Sequence, residues 1–112
     1  MSPLCLDTLK SLHDATGDVF IEILNIYFAD ARSNIDSMRL LALKNDNDQL
    51  LRLAHTLKGS SRNIGARDLA DTCEIFEKLL RSGTPCDLNQ QVTLINSTYE
   101  STLPYLHEYL AQ

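Results

Sequence analysis

Along almost the whole chain apolar residues recur every three or four positions, the period of an amphipathic helix and not the alternation of a strand. Phe20, Leu24, Tyr27, Phe28, Ala31, Ile35, Met38 and Ala42 predict a long helix from about Asp18 to Lys44. Before it, Ser2-Pro3 reads as an N-cap followed by proline at the first helical position, opening a short helix with Leu4, Leu9 and Leu12 that stops at Thr16-Gly17. After it, Asn45-Asp46-Asn47-Asp48 is a turn and capping cluster, because these side chains accept from free N–H groups at a helix start. A third helix follows to about Ile64 and ends at Gly65; a fourth runs from about Arg67 to Arg81 with Leu69, Cys73, Phe76 and Leu80, then meets Ser82-Gly83. Thr84-Pro85-Cys86-Asp87 starts the last helix, which carries Leu88, Val92, Ile95, Tyr99, Leu103 and Leu106; Pro104 inside it predicts a kink or break near residues 100–103. Short turns between long amphipathic helices favour antiparallel neighbours. The expected fold is all-α: an antiparallel up-down four-helix bundle with an additional short N-terminal helix, residues 1–112 forming one domain.

The third helix departs from this plain pattern. On a wheel at about 100° per residue, Leu50, Leu53, Ala54, Leu57, Ser60, Ser61 and Ile64 form the stripe that packs inward. His55 lies about 160° from its centre, hence in solvent. Around it stand Arg52, Lys58 and Arg62, with Leu51 and Gly59 one turn away on either side. Gly59 costs the helix about 1 kcal/mol relative to alanine; on the exposed side, its missing side chain clears space for another molecule to approach the imidazole. A neutral imidazole is a competent nucleophile at phosphorus near neutral pH, and cations beside it suit the negative charge of the product. The competing account is a solvated helix face with an idle histidine.

Composition narrows the choice. One core of ordinary size fits 112 residues that are 44% hydrophobic, and ten Lys+Arg against fifteen Asp+Glu give a net charge of −5. That balance excludes a phosphate-backbone binder and an anionic-membrane binder, so neither nucleic acid nor membrane is an expected partner. The start has no basic region followed by an apolar one, and no apolar run approaches a bilayer span. Cys5, Cys73 and Cys86 are an odd, widely spaced set without a CxxC pair, which places the chain in a reducing compartment, the cytoplasm by default. The initial Met and the full set of bundle helices favour a stand-alone protein over a piece cut from a longer chain.

Other candidates have simpler explanations. His13 ends the first helix, where a cation is favourable. His107-Glu108 lacks a second histidine four residues on, so it is not HExxH. Three histidines on three helices make no composite metal site, Cys73 belongs to the core, and Ser60 and Ser61 allow close helix packing. No GxxxxGK[ST] or GxGxxG loop is present, so autonomous ATP-dependent kinase activity is not expected.

The run Ala54-His55-Thr56-Leu57-Lys58-Gly59-Ser60-Ser61-Arg62-Asn63-Ile64-Gly65-Ala66, continued by Leu69, Ala70, Cys73, Phe76 and Glu77, resembles the signature of histidine-containing phosphotransfer (HPt) domains. Thr16-Gly17-Asp18, Phe20, Leu24 and Phe28 are similar to the family's preceding helix, so the likeness covers nearly the whole chain. Phe76 stands where leucine is more usual, and Arg62 occupies a variable position. The resemblance implies a role in a multistep two-component phosphorelay. His55 would take a phosphoryl group on Nε2 from the aspartyl phosphate of one receiver domain and pass it to the aspartate of another. Lys58 would stabilise the phosphoryl oxygens, and Leu51, Arg52, Gly59 and Arg62 would dock the partner. The partners implied are receiver domains of response regulators or a hybrid sensor histidine kinase, met by a monomer. No cofactor is expected, since near His55 the sequence offers cations and no carboxylate cluster beyond Asp48, leaving Mg²⁺ to the receiver. A helical adaptor that binds regulators without accepting phosphate is the alternative.

Overall fold

The computed structural model describes residues 2–112. Helix α1 spans Leu6–Thr16 and passes through a single 3-10 turn, Gly17–Val19, into α2, Phe20–Leu43. Then come α3, Asn47–Ile64, α4, Arg67–Ser82, and α5, Leu88–Leu110; no strand occurs among the described residues. Helices α2 to α5 form a ring of sequential neighbours, with α5 returning to lie against α2. The short connections make these neighbours antiparallel, and the result is a four-helix bundle 42 Å long. Helix α1 packs on α3 and α2.

The caps follow the local chemistry. Asp46 Oδ1 accepts from the Gln49 amide at 3.2 Å and Asp87 Oδ1 from the Gln90 amide at 3.0 Å, starting α3 and α5 where the polar clusters predict. The N-terminal segment behaves differently from the expectation. Ser2 Oγ accepts from the Leu4 amide at 3.1 Å and helix α1 begins only at Leu6. The carbonyl of Pro3 instead takes the Asp68 amide at 3.1 Å, and the Cys5 amide donates to the Gly65 carbonyl at 2.7 Å. Helix α4 has no side-chain cap, so the segment that resembled a cap for its own helix caps a different one. Gly65 is required at this crossing: its φ is +85°, and a Cβ there would lie 2.7 Å from the Cys5 carbonyl oxygen.

Inside the ring, Leu24, Ile35 and Met38 of α2 meet Leu50 and Leu57 of α3, Leu69, Cys73 and Phe76 of α4, and Ile95 and Leu106 of α5, all fully buried. Each large side chain so buried contributes about 1.5–3 kcal/mol. Cys73 is a core residue as expected, its thiol pushed up to about 12 chiefly by burial. The break expected at Pro104 does not occur, and α5 is helical without interruption from Leu88 to Leu110. The missing amide removes one backbone hydrogen bond, while packing holds both sides of the site. Thr102 and Leu106 are buried, the Tyr99 hydroxyl donates to the Phe28 carbonyl at 3.2 Å, and Tyr109 Oη lies 3.0 Å from His13 Nδ1. His13 does more than complement a helix end: its ring stacks on Phe20 at 4.3 Å and ties α1 to both α2 and α5.

Candidate functional site

The inward stripe of α3 is as the wheel places it. Leu50, Ala54, Leu57, Ser61 and Ile64 are buried, while Leu53 and Ser60 are half-buried. Ser61 serves close packing and more, since its hydroxyl pairs with the Tyr27 hydroxyl at 2.8 Å in the core. On the far side of the helix the His55 side chain is 60% exposed, at the middle of α3. No atom lies within 4 Å of where a Cβ on Gly59 would be, so no packing demand explains that glycine. Gly59→Ala is therefore expected to raise stability by about 0.5–1 kcal/mol in urea unfolding, the helix-propensity gain alone.

The turn at Gly65-Ala66 folds α4 back along α3 and brings Glu77, eleven residues beyond Ala66, opposite His55, ten residues before Gly65. Glu77 Oε2 lies 3.0 Å from His55 Nδ1. The same oxygen accepts from Arg81 Nε at 3.0 Å and Nη2 at 2.8 Å, and Oε1 pairs with Lys58 Nζ at 2.7 Å. Only 6% of this carboxylate side chain is exposed. Burial by itself would raise its pKa; hydrogen bonds from Lys58, Arg81 and His55 outweigh burial and hold it at about 2. The group is thus an anion at any physiological pH. Facing an anion, the neutral ring of His55 places its proton on Nδ1 as donor, and the lone pair falls on Nε2.

Glu77 changes the reading of the cationic cluster. Lys58 is 17% exposed and ion-paired to Glu77. Arg62 reaches Glu74 at 3.0 Å and Asp71 at 3.8 Å. Within the α3–α4 hairpin, Arg52, Lys58, Arg62, Arg67, Lys78 and Arg81 face Asp48, Asp68, Asp71, Glu74 and Glu77, so it is close to neutral within an acidic chain. Beyond Asp48, α4 supplies one carboxylate, Glu77, in direct contact with His55. Leu51, Arg52 and Arg81 surround His55 in a shallow, open depression together with Asp48 and Thr56. Reasoning from α3 alone missed Glu77 and Arg81. The signal available was a glutamate four residues after Cys73 on the apolar face of α4, a place that needs a partner for its charge. Among the described residues no group of three or more His, Cys, Asp or Glu is arranged to hold a metal ion. No described helix is long and apolar enough to cross a membrane.

The described residues thus form an α-helical bundle that presents one oriented imidazole on an open surface, beside cations held by a buried carboxylate. The family model of the Hpt domain matches residues 22–112, and the chain belongs to that family, the phosphotransfer domains of two-component relays. The crystal structure of histidine-containing phosphotransfer protein B from Pseudomonas aeruginosa PAO1 has the same fold. Its TM-score is 0.88 over 97% of this chain and 96% of that one, at 23% identity. Chemotaxis protein CheA of Borreliella burgdorferi is 30% identical over 90 residues, 70% of this chain and 10% of that protein. Histidine-containing phosphotransfer protein 5 of Arabidopsis thaliana is 31% identical over 74 residues, 62% of this chain and 47% of that protein. The chain thus matches about a tenth of the first of these two relatives and about half of the second. Helix α1 lies outside the family match and inside the span shared with the Pseudomonas structure.

Proposed function

We propose that His55 is the phosphoacceptor of a multistep phosphorelay, taking a phosphoryl group from the aspartyl phosphate of one receiver domain and passing it to the aspartate of another. One observation carries this reading: the exposed ring of His55 is anchored through Nδ1 to the ionised Glu77, which leaves Nε2 as the free nucleophile. The Nε2 lone pair forms the bond to phosphorus as the bond from phosphorus to the aspartyl oxygen breaks, and that oxygen keeps the electron pair as carboxylate. The open setting of His55 suits a partner domain, which brings the Mg²⁺. This chain contributes no cofactor site and no kinase activity of its own.

Lys58 acts on the ring through Glu77. Arg52 is the exposed cation of the depression left to meet phosphoryl oxygens, while Arg81 is committed to Glu77. Leu51, Arg52, Gly59 and Arg62 form the docking face around His55, on a single chain in the cytoplasm. Gly59→Lys is expected to keep the fold, since open space surrounds the position, and to weaken receiver binding about tenfold or more, measured by titration calorimetry.

The test is incubation with a phosphorylated receiver and Mg²⁺. The expected product carries acid-labile, alkali-stable phosphate on His55. A chain that binds receivers and never acquires phosphate is the adaptor instead.

A further inference from the structure

We infer that the chain pairs with a second copy of itself through the outer face of α2, the two helices running antiparallel about a twofold axis at Ser33. On a wheel at about 100° per residue, Glu22, Ile26, Ala29, Ser33, Ser37, Leu40 and Lys44 fall within about 80° of arc. They lie opposite the stripe from Phe20 to Ala42 that enters the core, and every one of them is exposed. Ile26 is 62% exposed and Leu40 61%, large apolar side chains that the fold leaves in water. Neither Glu22 nor Lys44 takes part in an ion pair among the described residues. Helices α3 and α5 flank α2 in the ring, and no described element covers this side of it.

The spacing of these positions points to the occupant. The steps between them are four, three, four, four, three and four residues, the same from either end, with Ser33 in the middle. A second α2 laid antiparallel therefore meets the first position for position. Glu22 stands opposite the partner's Lys44, Ile26 opposite the partner's Leu40, Ala29 opposite the partner's Ser37, and Ser33 opposite the partner's Ser33. Charge selects the orientation. A parallel pair would set Glu22 against the partner's Glu22 and Lys44 against the partner's Lys44, whereas the antiparallel one makes an opposite-charge pair at each end. Small residues at the three central positions let the axes approach to the short end of the usual spacing of about 8–10 Å. The isoleucine–leucine contacts on either side then close and leave water. Because the steps average close to the 3.6 residues of a turn, the stripe runs along the axis and does not wind away from the partner. Arg32 and Asp36, paired with each other at 3.1 Å, and Asp30 lie beside the stripe and not on it.

His55 faces α4, which is diagonal to α2 in the ring, so both copies keep the acceptor face open. One chain suffices for the acceptor chemistry, and the pairing is independent of it. A contact along one helix is at the small end of protein interfaces, which places association in roughly the micromolar to millimolar range.

Sedimentation equilibrium of the intact chain from about 1 µM to 1 mM, at about 0.15 M salt, reads the pairing. The expected mass rises from one chain to two and no further, as twofold closure requires. Ser33→Glu sets two carboxylates together at the axis and is expected to weaken association more than about tenfold. Glu22→Lys and Lys44→Glu, made singly, bring like charges together at both ends, and each is expected to weaken it about tenfold. Combined, they restore opposite charges in reverse and return association to within about threefold of wild type. Net charge moves in opposite directions in the two single variants, so an unspecific effect of charge would strengthen one of them. Should Ser33→Glu fail to fold, the charge variants decide alone. A chain that stays single throughout, or pairing indifferent to the single charge variants, overturns the inference. A single chain whose receiver binding is weakened by Ser33→Glu overturns it in favour of a docked receiver. Phosphate acceptance on His55 is measured separately on the same preparations, so the acceptor reading stands or falls on its own result.

Discussion

His55→Gln is expected to abolish phosphate acceptance completely while leaving the bundle folded. The side chain is 60% exposed and makes one tertiary hydrogen bond, to Glu77. Lys58 and Arg81 still neutralise that carboxylate in the variant, and a glutamine amide can donate to it in place of the imidazole. The stability change therefore stays within about 1 kcal/mol. Chemistry is another matter, because an amide offers no nucleophilic lone pair at the Nε2 position. The measurement pairs phosphate incorporation from a phosphorylated receiver with urea unfolding of the same preparation. Label persisting in the variant would move the acceptor elsewhere, to His13 or His107. Neither has a carboxylate partner: His13 is engaged with Tyr109 and Phe20, and the His107 ring rests against Phe28.

The second large effect falls on stability. Glu77→Ala removes the anion shared by Lys58, Arg81 and His55 and leaves a largely buried lysine without its partner. Breaking such a pair from one side costs about 3 kcal/mol where burial is substantial, less the part that the exposed Arg81 recovers in water. An expected loss of about 2 kcal/mol would show in urea unfolding at pH 7. The pH dependence has a definite sign. Glu77 is depressed in the folded state to about 2, below the usual value of about 4.3 for an unfolded chain. Its stabilisation is fully present above that usual value and is lost as pH falls from there towards 2. The gap between wild type and Glu77→Ala should close over that interval and stay constant from pH 5 to 7. A gap independent of pH would mean that Glu77 acts by packing and not by charge.

How far the sequence could be read depends on the range of the interaction concerned. Helix periodicity, Asp46 and Asp87 as caps, and Gly65 as a helix stop are local, and all are found where the chain alone predicts them. The exposure of His55 and the open space at Gly59 are also local, since one wheel determines them. Where the expectation failed, a distant segment intervened. Pro3 caps α4 in place of α1, because Asp68 lies beside it only in the folded chain. Pro104 does not interrupt α5, because contacts to α1 and α2 hold the helix across the lost hydrogen bond.

The sequence by itself determined a helical bundle and one solvent-facing histidine beside a glycine, for both follow from the angular spacing of residues along a single helix. Only the tertiary structure decided that Lys58 faces a carboxylate, that Arg81 belongs to the site, and that Nδ1 of His55 is the nitrogen held. Those facts join α3 to α4 across a hairpin, where the buried charge of Glu77 is met by partners from both helices.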